Sequence, residues 1–224
     1  MIPWIQLDAA TAPEGGELRL MRRDAEYSIR LGTRELMNSR LSGSEEALAT
    51  LACGRIGYRE QPRILIGGLG MGFTLRAALA ALGDGARVTV AELVPSVVAW
   101  ARGPMAQLFG SCLDDPRVDI HVGDVAGPIA AARTAYDAIL LDVDNGPEAF
   151  TRPANDAIYH AAGLAAAHRA LRPGGVLAVW SAAPDRAFTR RLEHTGFAVE
   201  EVKVRARGAK GGARHVIWIA VRRG

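Results

Sequence analysis

The 224-residue sequence contains little cysteine, no long apolar run and no large excess of charge of one sign. Its two cysteines, Cys53 and Cys112, are too few and too far apart for a disulfide framework or for a zinc site of recognised ligand spacing. No apolar run approaches the roughly 20 residues of a membrane-spanning helix, and Met1–Ala10 lacks the basic and apolar regions of a secretion signal. We therefore expect a cytoplasmic protein with no membrane segment and no bound metal.

Charge is balanced overall but uneven along the chain. Hydrophobic residues make up 49% and charged residues 23%, as in an ordinary globular protein, and the net charge is only +3. Basic residues concentrate near the C-terminus, at Lys203, Arg205, Arg207, Lys210, Arg214, Arg222 and Arg223. No aromatic residue lies within Lys203–Lys210 to provide a base-stacking surface, so a solvated basic loop is favoured over a nucleic-acid interface.

From Arg63 onward, short apolar runs alternate with longer alanine-rich segments, a pattern typical of βαβ units and a parallel sheet. The predicted strands are Arg63–Ile66, Arg87–Glu92, Val118–Val122, Ala138–Asp142 and Val176–Trp180. The predicted helices are Phe73–Leu82, Pro95–Leu108, Val125–Arg133, Ala154–Leu171 and Pro184–His194. Two further strands, Ala198–Arg205 and Arg214–Arg222, have no room for a helix between them and must be antiparallel.

The N-terminal part has a different pattern. Glu17–Arg22 and Glu26–Leu31 alternate in polarity around a short turn and predict a β-hairpin. Ser42 and Glu45 have capping-box spacing and predict the start of a helix over residues 43–54. We predict an extension over residues 1–55, then a domain over residues 56–224 with a seven-stranded Rossmann-like α/β sheet and helices on both faces.

A glycine-rich turn joins the first parallel strand to its helix. Gly67 and Gly68 follow Ile66, and glycine recurs at Gly70 and Gly72. Without side chains the backbone can turn tightly and let a ligand lie against it. The spacing is not that of dinucleotide-binding folds, and no Gly-Lys-Ser/Thr follows, so a nucleoside triphosphate is disfavoured.

Acidic residues are placed at the ends of the next three strands. Glu92 ends the second strand and could accept hydrogen bonds from ribose hydroxyls. Asp124 follows the third strand and could receive an adenine amino group, while Asp142 ends the fourth and Asp144 follows it. The carboxyl ends of parallel strands lie at one sheet edge, where open α/β sheets bind ligands, so these acids and the glycine turn predict an adenosyl-cofactor site.

With these motifs the chain resembles the class I methyltransferase superfamily and, within it, the spermidine synthase-like branch. The matching stretches are ILIGGLGMGFTLRAAL, VTVAELVPSVVAWAR, DPRVDIHVGDV, YDAILLDVDNGPEAF and LRPGGVLAVW. The resemblance implies S-adenosylmethionine, or its decarboxylated form, bound by Gly67, Gly68, Gly70, Gly72, Glu92 and Asp124, without a metal. It also implies that Asp142, or Asp144, orients or deprotonates an acceptor held by Glu46 and Tyr159.

The sequence departs from the branch at four places, one of which is an Asp-Ser-x-Asp-Pro loop shortened to Asp142-Val143-Asp144-Asn145. Gly70 replaces an aspartate that faces the cationic tail of the decarboxylated cofactor. Ser44-Glu45-Glu46 replaces a Tyr-His/Gln-Glu segment and leaves only Glu46 in register. Trp180-Ser181 stands where the branch has a glutamine after the fifth strand. Intact S-adenosylmethionine carries an extra carboxylate, which a glycine at position 70 suits better than an aspartate would.

Three functions stay open at this point. The leading expectation is methyl transfer from S-adenosylmethionine to a small or medium nucleophile, such as an amine. The alternative is an aminopropyltransferase of polyamine synthesis that uses decarboxylated S-adenosylmethionine. The third is a non-catalytic cofactor- or RNA-binding module, for which the C-terminal basic residues would matter. The edge hairpin or the N-terminal extension could support a homodimer.

Overall fold

The computed structural model describes residues 2–13, 15–143 and 157–224. The N-terminal part is a four-stranded antiparallel sheet in the order β1-β2-β3-β4. Its strands are β1 (Ile5–Thr11), β2 (Glu17–Arg23), β3 (Glu26–Leu31) and β4 (Arg34–Asn38). Asp24 makes the β2–β3 turn at a φ of 55°, a left-handed conformation that aspartate tolerates better than most residues. The predicted hairpin is therefore the centre of a larger sheet.

The second sheet has seven strands in the order β10-β11-β9-β8-β5-β6-β7. The strands are β5 (Arg63–Gly67), β6 (Arg87–Glu92), β7 (Val118–Val122), β8 (Tyr136–Leu141), β9 (Leu171–Ser181), β10 (Phe197–Arg205) and β11 (Arg214–Arg222). Strands β5 to β9 are parallel, whereas β11 pairs antiparallel with both β9 and β10. This confirms the predicted α/β fold with five parallel strands closed by an antiparallel hairpin.

Helices connect these strands and cover the sheet. They are α1 (Gly43–Ile56), α2 (Phe73–Ala81), α3 (Pro95–Arg102), α4 (Ala106–Phe109), α5 (Ala126–Ala131), α6 (Ala161–Ala170) and α7 (Arg186–His194). The helix predicted over Pro95–Leu108 is interrupted between α3 and α4, because Gly103 leaves helical geometry with φ −110° and ψ −109° and Pro104 follows it. Among the described residues, no helix has the length and apolarity to cross a membrane.

The central parallel strands β5, β8 and β9 are apolar on both sides because two cores sandwich them. Ile64 and Ile66 of β5 belong to the core that also contains α1, α2 and the inner face of the N-terminal sheet. Leu65 faces the other core, with Ile139 of β8 and Phe188 of α7. Side chains of a strand alternate between faces, so strands buried on both sides appear in the sequence as continuous apolar runs.

A buried carboxylate stabilises the edge of the sheet at which the parallel strands begin. Asp137 at the start of β8 is fully buried, and it accepts a hydrogen bond from the Arg63 backbone N–H at 2.8 Å. The guanidinium groups of Arg59 and Arg172 lie 3.0 and 2.9 Å from its two oxygens. A buried charge needs such partners to offset its desolvation, and these contacts fix β8 against β5.

Candidate adenosyl-cofactor site

A cavity of about 360 Å³ lies between the N-terminal sheet and the carboxyl ends of β5, β6, β7 and β8. Its lining combines the glycine turn, the acids that follow the strands, and apolar side chains from the N-terminal sheet. The lining residues used below are Arg34, Met37, Glu45, Gly68, Gly70, Glu92, Asp124, Asp142 and Trp180. The structure therefore brings together most of the residues that the sequence predicts at the sheet edge.

The glycine turn is shaped by residues that admit no side chain. Gly68 has a φ of 91°, and a Cβ there would lie 2.4 Å from the Asp142 carbonyl oxygen. Gly72 has a φ of 74°, and its Cβ would lie 2.5 Å from the Phe109 ring. Gly68 and Gly70 line the cavity, whereas Gly67 packs under Val125 and Gly72 precedes α2. Gly67 and Gly72 thus shape the turn from outside the cavity.

Glu92 connects the turn to the end of β6. Its side chain is buried, and its carboxylate accepts hydrogen bonds from the backbone N–H groups of Leu69 and Val94, each at 2.9 Å. These bonds fix the orientation of the carboxylate at the cavity wall. A carboxylate can accept several bonds, so this arrangement suits the predicted ribose contact.

Asp124 is placed beyond β7, on the side of the cavity next to Glu92. Its Oδ1 accepts a hydrogen bond from the Ala126 N–H at 2.8 Å, at the start of α5. This local bond holds the side chain at the cavity wall. The predicted contact with an adenine amino group is compatible with this position, because a carboxylate oxygen accepts from such a donor.

Asp142 follows β8 and faces the cavity with a constrained side chain. Its Oδ2 accepts a hydrogen bond from the Thr74 hydroxyl at 2.6 Å. The pKa of Asp142 is raised to about 7, chiefly by burial and then by the nearby Glu45 carboxylate, while the Thr74 bond opposes the change. The carboxyl group can therefore gain or lose a proton near neutral pH, as a general acid or base requires.

Glu45 is a cavity-lining acid that the sequence analysis did not predict. The Ser44 hydroxyl donates to its Oε2 at 2.7 Å, and burial raises its pKa. The predicted capping box does not form, since no side chain caps the helix at Ser42. The helical spacing carried a signal for Glu45, because it lies one turn before the buried residues Leu48 and Ala49.

Two residues predicted to hold the acceptor, Glu46 and Tyr159, do not line the cavity. Glu46 is exposed and lies outside the lining. Tyr159 is buried in the core, where its ring packs edge to face on Phe188 and its hydroxyl donates to the Val143 carbonyl at 3.3 Å. Its position supports the backbone next to Asp142 from behind. Asp144 lies outside the described residues.

The cavity fits an adenosyl group on the chemistry of its lining. The turn at Gly68 leaves bare backbone where a Cβ would collide, and two carboxylates stand at consecutive strand ends. In the described part of the chain, no group of three His, Cys, Asp or Glu side chains is arranged to hold a metal ion.

Comparison with known proteins connects this site to transferases. Residues 102–212 match the model of a family described as S-adenosyl-L-methionine-dependent methyltransferase. The chain is 33% identical over 100 residues to the polyamine aminopropyltransferase of Nitrosomonas europaea, covering 44% of this chain and 29% of that protein. It is 30% identical over 150 residues to polyamine aminopropyltransferase 1 of Streptomyces coelicolor, covering 63% of this chain and 27% of that protein. The chain thus spans less than a third of the length of these curated relatives.

Solved structures show the same fold over nearly the whole chain. Spermidine synthase from Thermotoga maritima superimposes with a TM-score of 0.76 at 19% identity, over 97% of this chain and 72% of that one. A spermidine synthase in complex with the transition state analogue AdoDATO gives a TM-score of 0.75 at 18% identity, with the same coverage of 97% and 72%.

The sheet order, the glycine turn after the first parallel strand and the acids at the following strand ends define the class I methyltransferase fold. The matched family model, the curated relatives and the solved structures together support a resemblance to the spermidine synthase-like branch of that class. The resemblance drawn from the sequence is confirmed at this level.

Proposed function

We propose that this chain is a transferase that moves an alkyl group from an adenosyl sulfonium cofactor to an amine nitrogen, and that the reaction is aminopropyl transfer. The observation that carries the proposal is the pair of acids, Glu45 and Asp142, on the cavity wall. Each has a raised pKa, and the charge of Glu45 contributes to that of Asp142. A cationic amine placed between the two carboxylates would offset the desolvation cost of their charged forms and their mutual repulsion.

The roles of the protein side chains follow from the chemistry of amines. A protonated amine has no lone pair, so one proton must leave before nitrogen can attack. Asp142 in its carboxylate form accepts that proton, while the Thr74 hydroxyl holds the accepting group in one orientation. Glu45 remains charged and binds a second ammonium group of the same molecule.

The cofactor, when bound, supplies an electrophilic carbon next to its sulfonium sulfur. After its proton has passed to Asp142, the amine nitrogen would bond to that carbon as the carbon–sulfur bond breaks and the neutral thioether leaves. Because the sulfonium is already a good leaving group, the protein's contribution is to place the amine in line and to exclude water. The cavity, closed on one side by the N-terminal sheet, provides both.

Methyl transfer, which the sequence analysis placed first, is the second candidate. Two observations favour it: Gly70 provides no acid for a cationic tail, and Arg34 is the one basic side chain among the described residues of the lining. A guanidinium would attract the carboxylate of intact S-adenosylmethionine. The names of the curated relatives and the solved neighbours favour aminopropyl transfer instead.

The two reactions separate by cofactor. Isothermal titration calorimetry with both forms, followed by mass spectrometry of a linear diamine after incubation with each, is the test. The proposal expects tighter binding of the decarboxylated form, an aminopropylated diamine and release of methylthioadenosine. Tighter binding of the intact form with a methylated amine would overturn aminopropyl transfer in favour of the second candidate. No transfer from either form would overturn both.

A further inference from the structure

The N-terminus of α1 is clamped by the C-terminal hairpin, far away in sequence. The Gly43 N–H donates to the Ala206 carbonyl at 3.0 Å. The backbone of Gly208 lies so close that a Cβ on Gly43 would be 2.2 Å from the Gly208 nitrogen. From the same hairpin, His215 Nδ1 lies 3.0 Å from the Ser44 hydroxyl oxygen. These contacts fix the first turn of α1, which carries Glu45.

The hydrogen bonds of this junction have a defined direction. The Ser44 hydroxyl has one hydrogen and donates it to Glu45 Oε2 at 2.7 Å. It must then accept from His215, so the His215 ring carries its proton on Nδ1. Burial lowers the pKa of His215 and favours the neutral ring. A chain of donors thus runs from β11 through α1 to the cavity carboxylate.

Packing holds the histidine at the start of this chain. The rings of Trp180 and His215 meet edge to face with centroids 4.7 Å apart. Trp180 lines the cavity from β9, and its neighbour Ser181 is paired with Val216 of β11. Ser44, in the middle of this series of hydrogen bonds, is fully buried.

From this arrangement we infer that His215 is a positioning residue, which acts through Ser44 to hold the Glu45 carboxylate for the charged group of the acceptor. The inference rests on the proposed function in one respect, namely that the acceptor is a cationic amine. It explains why Ser44 is buried beside an acid, and it assigns a specificity role to the Ser44-Glu45 sequence that departs from the branch. The C-terminal hairpin thereby takes part in acceptor binding.

The test compares variants that differ in one hydrogen bond. His215→Phe keeps an aromatic ring beside Trp180 but removes the donor, whereas His215→Asn keeps an N–H near the Nδ1 position. We expect His215→Phe to raise KM for the amine about tenfold, with kcat and the affinity for methylthioadenosine little changed, since a hydrogen bond that reaches a charged group is lost. His215→Asn should restore most of the wild-type KM. The matched control is His194→Phe, at an exposed histidine whose Nδ1 lies 2.7 Å from the Arg190 carbonyl oxygen of its own helix.

A double-mutant cycle with Ser44→Ala assigns the effect to the chain of hydrogen bonds. The positioning role predicts that His215→Phe adds little to the KM of Ser44→Ala. Full additivity, failure of His215→Asn to rescue, or an equal loss of methylthioadenosine affinity would each overturn it in favour of a general structural role.

A spectroscopic readout keeps this inference separate from the proposed reaction. The ¹⁵N chemical shifts of the His215 ring should report an Nδ1–H tautomer that is lost in Ser44→Ala. An Nδ1 without a proton in the wild-type protein would overturn the inference even if amines are alkylated. If no amine is alkylated with either cofactor, the proposed function fails. The tautomer measurement still decides the direction of the hydrogen bonds from His215 through Ser44 to Glu45.

Discussion

At the scale of single residues, the protonation of Asp142 sets the expected pH dependence. Its pKa is raised from 3.8 to about 7, so the carboxyl is neutral below that pH and becomes a proton acceptor above it. We expect kcat/KM to rise about tenfold per pH unit up to neutrality and then level off, as a single ionisation of the free enzyme requires. Asp142→Asn should abolish this limb and lower kcat/KM roughly 100-fold.

The control for this profile is Asp124→Asn, which removes a cavity carboxylate without touching Asp142. It should weaken cofactor binding and leave the pH limb in place. The same raised pKa also affects stability: the folded protein binds the Asp142 proton more tightly than the unfolded chain, so this contribution is present at low pH and is lost as the pH rises towards 7. An unchanged pH limb in Asp142→Asn would refute the role of Asp142 as proton acceptor.

Gly70 offers a second test by substitution. It has a φ of 51°, and among the described residues a Cβ at this position would meet only Met37 Sδ at 3.5 Å, an ordinary contact. Aspartate and asparagine both tolerate this backbone conformation. Gly70→Asp should raise the affinity for decarboxylated relative to intact S-adenosylmethionine about tenfold. The new carboxylate would attract the cationic tail of the decarboxylated form and repel the carboxylate of the intact form. Gly70→Asn has the same shape without the charge, and an equal shift in that variant would refute the electrostatic explanation.

The sequence was sufficient to predict those site residues that the topology brings to the carboxyl edge of the parallel sheet. Glu92, Asp124 and Asp142 line the cavity because parallel strands end on the same side, and this follows from the order of elements alone. Glu46 and Tyr159 were chosen by register with a family, and the structure places neither in the cavity lining. Adjacent residues on a helix point in different directions, so an alignment that is wrong by one residue selects the wrong face of the helix. This is why Glu45 lines the cavity where Glu46 was expected.

At the scale of elements, α7 depends on a side-chain cap. The Asp185 Oδ1 accepts hydrogen bonds from the N–H groups of Ala187 and Phe188, at 2.7 and 3.0 Å. We expect Asp185→Ala to lower the free energy of unfolding by about 1 kcal/mol, measured by urea denaturation. Asp185→Asn retains an accepting oxygen and should lose much less. Equal losses in the two variants would show that the cap bonds are not the cause.

The central strands β5, β8 and β9 were predictable because their apolar runs are buried on both faces. β1 and β4 were not predictable, for a physical reason that differs between the two strands. β1 is an edge strand with almost every side chain exposed, so no alternation marks it. In β4 the pairing with β3 shifts register between Ile29 and Arg30, and this irregularity breaks the period of two.

At the scale of the whole molecule, the C-terminal hairpin meets the first turn of α1. Gly43→Ala places a methyl group within 2.2 Å of the Gly208 backbone nitrogen, so the hairpin must move away from the helix. We expect a loss of about 1–3 kcal/mol in the free energy of unfolding, together with a raised KM for the amine because Glu45 moves with the turn. Chemical denaturation and steady-state kinetics measure the two effects.

Gly54→Ala is the matched control on the same helix. A Cβ at Gly54 meets nothing within 4 Å, so this change should stabilise the protein by up to about 1 kcal/mol through helix propensity and leave KM unaltered. If Gly43→Ala behaved like Gly54→Ala, the contact between the hairpin and α1 would not hold the turn in solution.

The close packing of Gly68 against the Asp142 carbonyl has a consequence for how such a protein can diverge. The Asp142 N–H also donates to the Gly67 carbonyl at 3.0 Å, so the glycine turn and the backbone that carries Asp142 are bonded directly to each other. The remaining cavity walls include residues from other parts of the chain, namely the N-terminal sheet and α1. Substitutions in those walls can change which molecule is modified while the reacting geometry is inherited intact, so selection can alter the two traits one at a time.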